Sequence, residues 1–600
     1  MKRIICLALC IVMLCGVFTS CSTLKGDDKG AIIDVYLTDE LYNFDPALSY
    51  TDDSMVKVLS LIYEGLTRLD SKGNWEKAMM DTYKYEKDEE EGEYKLTVEI
   101  ADTKWSDGRT VQAADFVYAW KRILDPEFRG DSASLLYDIK NARDVKFGDM
   151  SVDDLGVTAV GTYTLQILFE RDIDLDDFFT TAASVALVPL REDAVARNSE
   201  DWSKKTSTIV TNGPFALKEI EYGDLLRVER NAYYFRDVEK NERLDKYVIP
   251  WRIVTHYSYG DLEEQFNLFQ NGQIFYLGNI PLSQRAAVQK QANISDELAT
   301  HTYYFNLENP LFKDARVRRA LSMALDRNEI VNILTYAKAA TGLIPYGVYD
   351  ANGKGDFRET ADEAGALVST AADVDGAKAL LKQAGVTSGK FEITVKNNEA
   401  DIAVAKYVAG VWNELGFKVT LNILSGTRAT SVEMVENEVV KTKIFDDNYN
   451  NAYKNGDFDV IAVDMNMLTA NAFNVLSVFA TDFSGGGVDM RSKNYDVQGH
   501  ITGYASDAYD ELIEKVFAAQ DSAERTSLMH DAEKMLMEDM PVIPLCYLQD
   551  AYLINTKVLS GVKDTVLGTR DFTGMKMKNY MAYKEIILAE EEAEAAETVK

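Results

Sequence analysis

Apolar residues along this chain recur in two rhythms that alternate with each other. After Asp314, the positions Val317, Ala320, Leu321, Ala324 and Leu325 return at helical spacing and predict an amphipathic helix. Asp314 is suited to cap it, because a short carboxylate accepts the free N–H groups of a first turn. Asp326 is placed to cap a second helix, with Glu329 three residues on as in a capping box. Arg316, Arg318 and Arg319 crowd the first turns, where the helix dipole disfavours cations by about 0.3–1 kcal/mol each. Carboxylate partners elsewhere in the fold are therefore expected. Downstream, residues 373–385 read as a helix closed by Gly385, 391–395 as a strand, 403–415 as a helix ended by Gly416, and 417–421 as a strand. A strand over 459–463 runs into a loop at Asp464 to Asn466, and helices over 507–520 and 523–540 lead to a strand over 541–547. This β-α-β rhythm predicts an α/β fold. The first half adds strands over 31–36 and 94–100, a pair within 155–169, and one over 302–306.

The N-terminus breaks both rhythms. Lys2 and Arg3 precede an apolar run over 4–18, too short to span a bilayer comfortably, so it reads as a targeting segment. Cys21 follows small residues and precedes a polar stretch, an arrangement that resembles a lipobox. Residues 1–20 then read as a lipoprotein signal peptide, Cys21 as the lipidated residue and 21–30 as a tether; the other reading is an ordinary secretory signal cleaved nearby. Four of the five cysteines lie in this leader, which leaves Cys546 alone in the body with no intrachain disulfide to form. Cys546 reads as a small buried hydrophobe. The core must therefore hold the fold, and 600 residues with 46% apolar positions suffice for that. A net charge of −33 argues against nucleic acid and against an anionic membrane surface as partners. The acidic tail, 589–600, is expected to be disordered.

Catalytic patterns are missing. His256, His301, His500 and His530 form no HExxH and no closely spaced metal pair. No GxSxG elbow and no phosphate loop of the GxxxxGK[ST] type occurs. Asp373-x-Asp375-Gly376 begins like a calcium loop but lacks the distant Glu. No metal, cofactor or enzymatic activity is expected, although a chain with 97 acids cannot exclude a two-carboxylate glycan hydrolase by pattern.

Four stretches carry a resemblance. They are Pro310-Leu311-Phe312-Lys313-Asp314-x-Arg316-Val317-Arg318-x-Ala320-Leu321 with Ala324-Leu325-Asp326-Arg327; Phe44-Asp45-Pro46-Ala47 with Tyr63-Glu64-Gly65-Leu66; Trp105-Ser106-Asp107-Gly108 with Asp115-Phe116-x-Tyr118-x-Trp120; and Asn212-Gly213-Pro214-Phe215. Together they resemble the oligopeptide/dipeptide-binding proteins of ABC importers, over roughly 34–588. The resemblance implies a two-lobed, periplasmic-binding-protein-like α/β clamshell with mixed sheets and an inserted third subdomain. Its expected boundaries are 31–52 with 205–304 and 555–588 for the first lobe core, 53–204 for the insertion and 305–554 for the second lobe. It implies a monomeric lipoprotein that binds oligopeptides in an interlobe cleft and delivers them to an ABC permease. Another ligand on the same fold, such as a nickel chelate, an oligosaccharide or a signalling peptide, is the alternative. The implied cleft residues are Glu40, Leu41 and Tyr42 at the end of the first strand, Tyr303, Tyr304 and Phe305 at the crossover, and Asp464 with Asn466. Asp464 is the implied partner of a peptide's free α-amino group. Trp105, beside its turn, is expected at the cleft mouth.

Overall fold

In the computed structural model, residues 31–578 are described except 39–40, 42, 88–91, 129, 198–201, 222–224, 235–248, 251, 257–261, 352–354, 436–437, 447, 468, 485–499 and 566–567. The leader with Cys21, the tether, Glu40, Tyr42 and the acidic tail lie outside the described residues.

Asp314 caps the helix Ala315–Met323, its carboxylate accepting from Arg316 N at 2.9 Å. Asp326 does the same for Arg327–Leu334, accepting from Asn328 N at 2.9 Å. Val317, Ala320 and Leu321 are buried as the stripe requires. The arginines behave differently from expectation. Arg316 returns to its own cap, Asp314, at 2.6 Å, and Arg319 is exposed. Arg318 is buried and finds carbonyls rather than carboxylates, donating to Asp539 O and Met540 O and to Phe312 O and Lys313 O. Those first two close the helix Ser522–Asp539, whose last carbonyls lack partners and carry the negative end of its dipole. A guanidinium satisfies them without a second buried charge. Arg327, also buried, donates to Pro544 O at 2.8 Å and Ser369 O at 2.9 Å and ties its helix to the returning strand; burial lowers its pKa to about 10.

A seven-stranded mixed sheet organises this half of the chain. Its middle strand, Asn293–Phe305, is 13 residues long and reaches well back of the predicted 302–306. It runs antiparallel to Val542–Ile554 on one side and to Val460–Asn466 on the other. Val460–Asn466 lies parallel to Gly389–Lys396, and that strand parallel to Phe417–Leu424. The helix Glu399–Glu414 makes the crossover between the last two, the unit that the β-α-β rhythm predicts. Tyr276–Leu277 and Ala337–Ala339 pair with Val542–Ile554. Cys546 is buried in that strand.

The chain's first strand, Ile32–Val35, lies parallel to Arg252–His256 in a four-stranded sheet completed by Leu225–Arg230 and Phe215–Glu221. Another four-stranded sheet holds Met80–Lys87, Tyr94–Ile100, Thr164–Phe169 and Val157–Ala159. The helix Ala113–Leu124 packs on it through contacts with the last two. The hairpin Thr427–Val435 with Glu438–Asp446 has no counterpart in the sequence expectations.

The N-terminal and seven-stranded sheets touch where Tyr36 bridges Leu277 and Gly278 N donates to Tyr36 O at 2.5 Å. A Cβ at position 278 would collide with the Leu37 carbonyl, so the approach requires glycine. Away from this junction, residues 53–204 also meet the second half directly. Arg525 pairs with Asp177 at 3.1 Å, Asn474 Nδ2 donates to Thr181 Oγ1 at 3.1 Å, and Tyr349 Oη donates to Lys72 O at 2.9 Å.

Candidate functional site

Beside the Tyr36–Leu277 junction lies an open cavity of about 170 Å³. Thr38, Asp53 and Lys57 line it from the N-terminal side, and Glu297, His301, Asp401, Asp464 and Asp550 from the seven-stranded sheet and its helix. Lys396 spans the two sides, reaching Asp52 at 2.9 Å, while Asp52 caps the helix Asp53–Ile62 that carries Lys57. Carboxylates outnumber the Lys57 and Arg285 cations along this lining.

The charges are arranged in two groups. Near the N-terminal side, Lys57 donates to Asp53 at 2.7 Å and stands 3.6 Å from Asp550, which also pairs with Arg570. Glu297 is buried beside them. Its burial, and then the Asp53 charge, raise its pKa well above the usual carboxylate range.

The second group forms where strand register sets His301 opposite Asp464. His301 Nδ1 lies 2.5 Å from Asp464 Oδ1. Burial alone would neutralise both side chains. Their mutual charge and hydrogen bond outweigh it, so the His301 pKa is raised and the Asp464 pKa lowered. Asp401 joins them from the first turn of Glu399–Glu414. Asn398 caps that helix, accepting from Asp401 N at 2.8 Å and donating to Asp401 Oδ2 at 3.0 Å. Burial, then the Asp464 charge, push the Asp401 pKa up to about 6. One potential ligand atom from each of His301, Asp401 and Asp464 lies within 4.8 Å of the other two.

Of the predicted cleft residues that are described, Asp464 is the one that lines this cavity. Its side chain keeps 36% of its surface exposed. Asn466 is buried at the end of the same strand, opposite Ala299. Leu41 is buried in the core. Tyr303, Tyr304 and Phe305 are buried too, because their strand has a neighbour on each edge and cover on each face. Phe305 packs on Phe312 with centroids 4.8 Å apart, Tyr303 on Trp412 at 6.2 Å and Tyr304 on His500 at 5.3 Å. The same strand reaches the cavity earlier, through Glu297 and His301. Trp105 is fully buried, with Nε1 donating to Asp115 Oδ2 at 3.0 Å, so it anchors its turn to the helix Ala113–Leu124 instead of standing at the cleft mouth.

Glu297, His301 and Asp401 were not singled out in the sequence. His301 stands two residues before Tyr303, a period-2 step along the same strand, and that spacing was the available signal.

Comparison with known proteins places this geometry. Residues 83–487 match the model of the bacterial extracellular solute-binding proteins, family 5 Middle. The dipeptide-binding protein DppE of Bacillus subtilis is 28% identical over 536 residues, 87% of this chain and 88% of the relative. The oligopeptide-binding protein OppA of the same organism is 25% identical over 561 residues, 90% of this chain and 91% of the relative. The solved substrate-binding domain of an oligopeptide ABC transporter from Bacillus anthracis superposes with a TM-score of 0.76 at 22% identity, over 92% of this chain and 100% of that one. Among the described residues no helix is long and apolar enough to cross a membrane. An α/β body with mixed sheets, a cavity where two of them meet, and a family match across most of the chain agree: this protein belongs to the family 5 bacterial extracellular solute-binding proteins.

Proposed function

We propose that this chain binds oligopeptides in the cavity beside the Tyr36–Leu277 junction and hands them to an ABC-type importer. The observation that carries the reading is Asp464, a half-exposed carboxylate at the cavity wall, positioned by a central sheet rather than by a loop. Every unblocked peptide presents an ammonium whatever its side chains, so one fixed carboxylate can register them all. The printed names of DppE and OppA, dipeptide-binding and oligopeptide-binding, support the same ligand class. The protein acts as a monomer without catalysis or cofactor, and its halves close about crossings outside the paired strands Asn293–Phe305 and Val542–Ile554, not at Tyr303 and Cys546 or at the expected 304/305 boundary, which fall inside those strands.

Native mass spectrometry of freshly purified protein tests this directly. A co-purifying ladder of short peptides is expected, with calorimetric binding of a random peptide pool and no turnover. Binding only to glycans, or release of glycan products, would overturn it.

Closure carries its own prediction. Lys396–Asp52, Arg525–Asp177 and Tyr349–Lys72 join the two halves only when they are together. Saturating ligand added to ligand-free protein should shrink the radius of gyration in small-angle scattering. Superimposable profiles with and without bound ligand would rule out the clamshell.

The anchor is equally testable. Cys21→Ala should move the protein from the membrane to the soluble extracytoplasmic fraction, because Cys21 is the thiol next to the plausible cleavage site. Unchanged membrane retention, with no acyl mass on the wild-type N-terminus, would refute lipidation.

A further inference from the structure

We infer that Glu297, with Asp53 and Asp550 beside it, forms a subsite for a basic side chain of the bound peptide, so that the cavity selects ligands carrying a lysine or arginine besides their α-amino group. This rests on the peptide reading and deepens it. The acids reach the cavity from different elements: Asp53 from the first turn of the helix Asp53–Ile62, Glu297 from the strand Asn293–Phe305 and Asp550 from Val542–Ile554. Two cations stand among them. Lys57 donates to Asp53 at 2.7 Å and lies 3.6 Å from Asp550, and Arg570 pairs with Asp550 and, at 3.1 Å, with Asp564. Both are spent on the aspartates. Among the described residues no cation forms an ion pair with Glu297, so the group holds one acid more than its cations match.

A surplus of acid alone would mean little; the second observation is the Glu297 carboxyl itself. Glu297 is 7% exposed and lines the cavity, and among the described residues neither of its oxygens accepts a hydrogen bond from an N–H or hydroxyl group. The hydrogen bond it makes is with another acid, Asp53, to which it donates the proton that burial leaves on it. Buried acceptors nearly always have donors. Here the acceptors without one are the atoms that a ligand's ammonium or guanidinium would touch. The backbone supplies a third observation. Asp296 pairs with Gln549 and Thr300 with Tyr547, so residues 297–299 stand opposite Leu548 alone. Such a bulge re-aims a side chain and is common beside functional sites. Binding is then an exchange. A cation beside Glu297 favours its charged form, the proton leaves to solvent, and the carboxylate takes the ligand's cation in a charge-assisted hydrogen bond. The charged groups around Glu297 are Asp53, Lys57 and Asp464, with Asp550 and Arg570 beyond Lys57. A neutral side chain in the same place would leave the acid protonated and unmatched.

The test is calorimetry of the mature chain with trialanine peptides in which lysine, or the neutral and nearly isosteric norleucine, replaces one residue at a time. At one position at least, the lysine peptide should bind about tenfold or more tighter than its norleucine counterpart. Titrations in phosphate and in Tris should reveal proton release with that lysine peptide beyond the norleucine value. Glu297→Gln resembles the protonated acid in shape and keeps a donor for Asp53, so the fold should persist, as melting curves check. In that variant the lysine preference should fall to within about twofold and the extra proton release should vanish. Because the preference is a ratio measured within one protein, a general loss of stability cancels from it. Asp375→Asn, an exposed acid on another helix, should retain both signals. Peptides that bind with no lysine preference at any position, or a preference that survives Glu297→Gln, would overturn the subsite and leave the peptide reading standing. If no peptide binds, titration with 1,5-diaminopentane decides: binding that Glu297→Gln abolishes keeps the cation subsite and removes only the peptide reading, and no binding removes both.

Discussion

Asp464→Ala should weaken the binding of an unblocked peptide by roughly 30-fold to several thousand-fold, the range that corresponds to about 2–5 kcal/mol for a buried charge that loses its partner. Asp464 Oδ1 already belongs to His301, and among the described residues no second bond occupies Oδ2. That oxygen is the one available to a ligand's ammonium. The strand Val460–Asn466 is paired along its length with Asn293–Phe305, so the backbone that carries this carboxylate is set before binding. N-acetylating the peptide should weaken wild-type binding to a similar degree and add little further loss in the variant, because both changes remove one and the same pair. Calorimetry over the four combinations measures this coupling. Fully additive losses would show that the amine is held elsewhere, and an Asp464→Ala protein with wild-type affinity would remove Asp464 from the site.

What could be read from the sequence divides along the same line as local and non-local physics. The caps at Asp314 and Asp326, the Gly385 helix end and the strand–helix–strand unit from 389 to 424 depend on residues within a turn or two of each other, and the chain spells them out. The placement of Tyr303, Tyr304 and Phe305 does not. Nothing local says that their strand runs back to Asn293 or that it gains a neighbour on each edge, yet this is what buries them. Trp105 is buried for a related reason: a turn marks the surface, but the indole next to it points at Asp115 of the following helix. Arg318 shows the limit of charge arithmetic, since the groups awaiting it were helix carbonyls some 220 residues away in sequence. At the site, Asp464 was legible only through family resemblance. His301 reaches it through register, and Asp401 through a helix that begins after the strand Gly389–Lys396. Ligands in open α/β sheets gather beyond the carboxyl ends of strands, so Asp401 carried a topological signal that its immediate sequence lacked.

Glu533→Ala should cost about 3–5 kcal/mol of stability, the loss typical of breaking a buried ion pair by removing one partner. Glu533 projects from the helix Ser522–Asp539 and Arg358 from Phe357–Ala364, and both side chains are wholly buried. Arg358 donates to Oε1 at 2.9 Å and to Oε2 at 2.8 Å, a bidentate pairing that single point charges cannot match. Glu533 Oε1 also accepts from Leu343 N at 2.8 Å and Ile344 N at 2.9 Å, so one carboxylate holds a helix and a loop at once. Gly342 completes the fit, because a Cβ there would run into the Arg358 guanidinium. Alanine at 533 leaves the buried Arg358 guanidinium with Asp362, 3.5 Å from its Nε, in place of its bidentate partner and strands two backbone donors. Glutamine keeps an acceptor for the donors but loses the charge, so Glu533→Gln should fall between alanine and wild type. The double variant Arg358→Met, Glu533→Leu removes both charges and should recover much of the loss, leaving about 1–3 kcal/mol for the two unpaired N–H groups. Urea denaturation of wild type, Arg358→Met, Glu533→Leu and the double variant, with hydrogen exchange at Leu343 and Ile344 as a local reading, provides the cycle. A double variant less stable than the sum of its single changes would mean that packing volume, and not the ion pair, holds these two helices together.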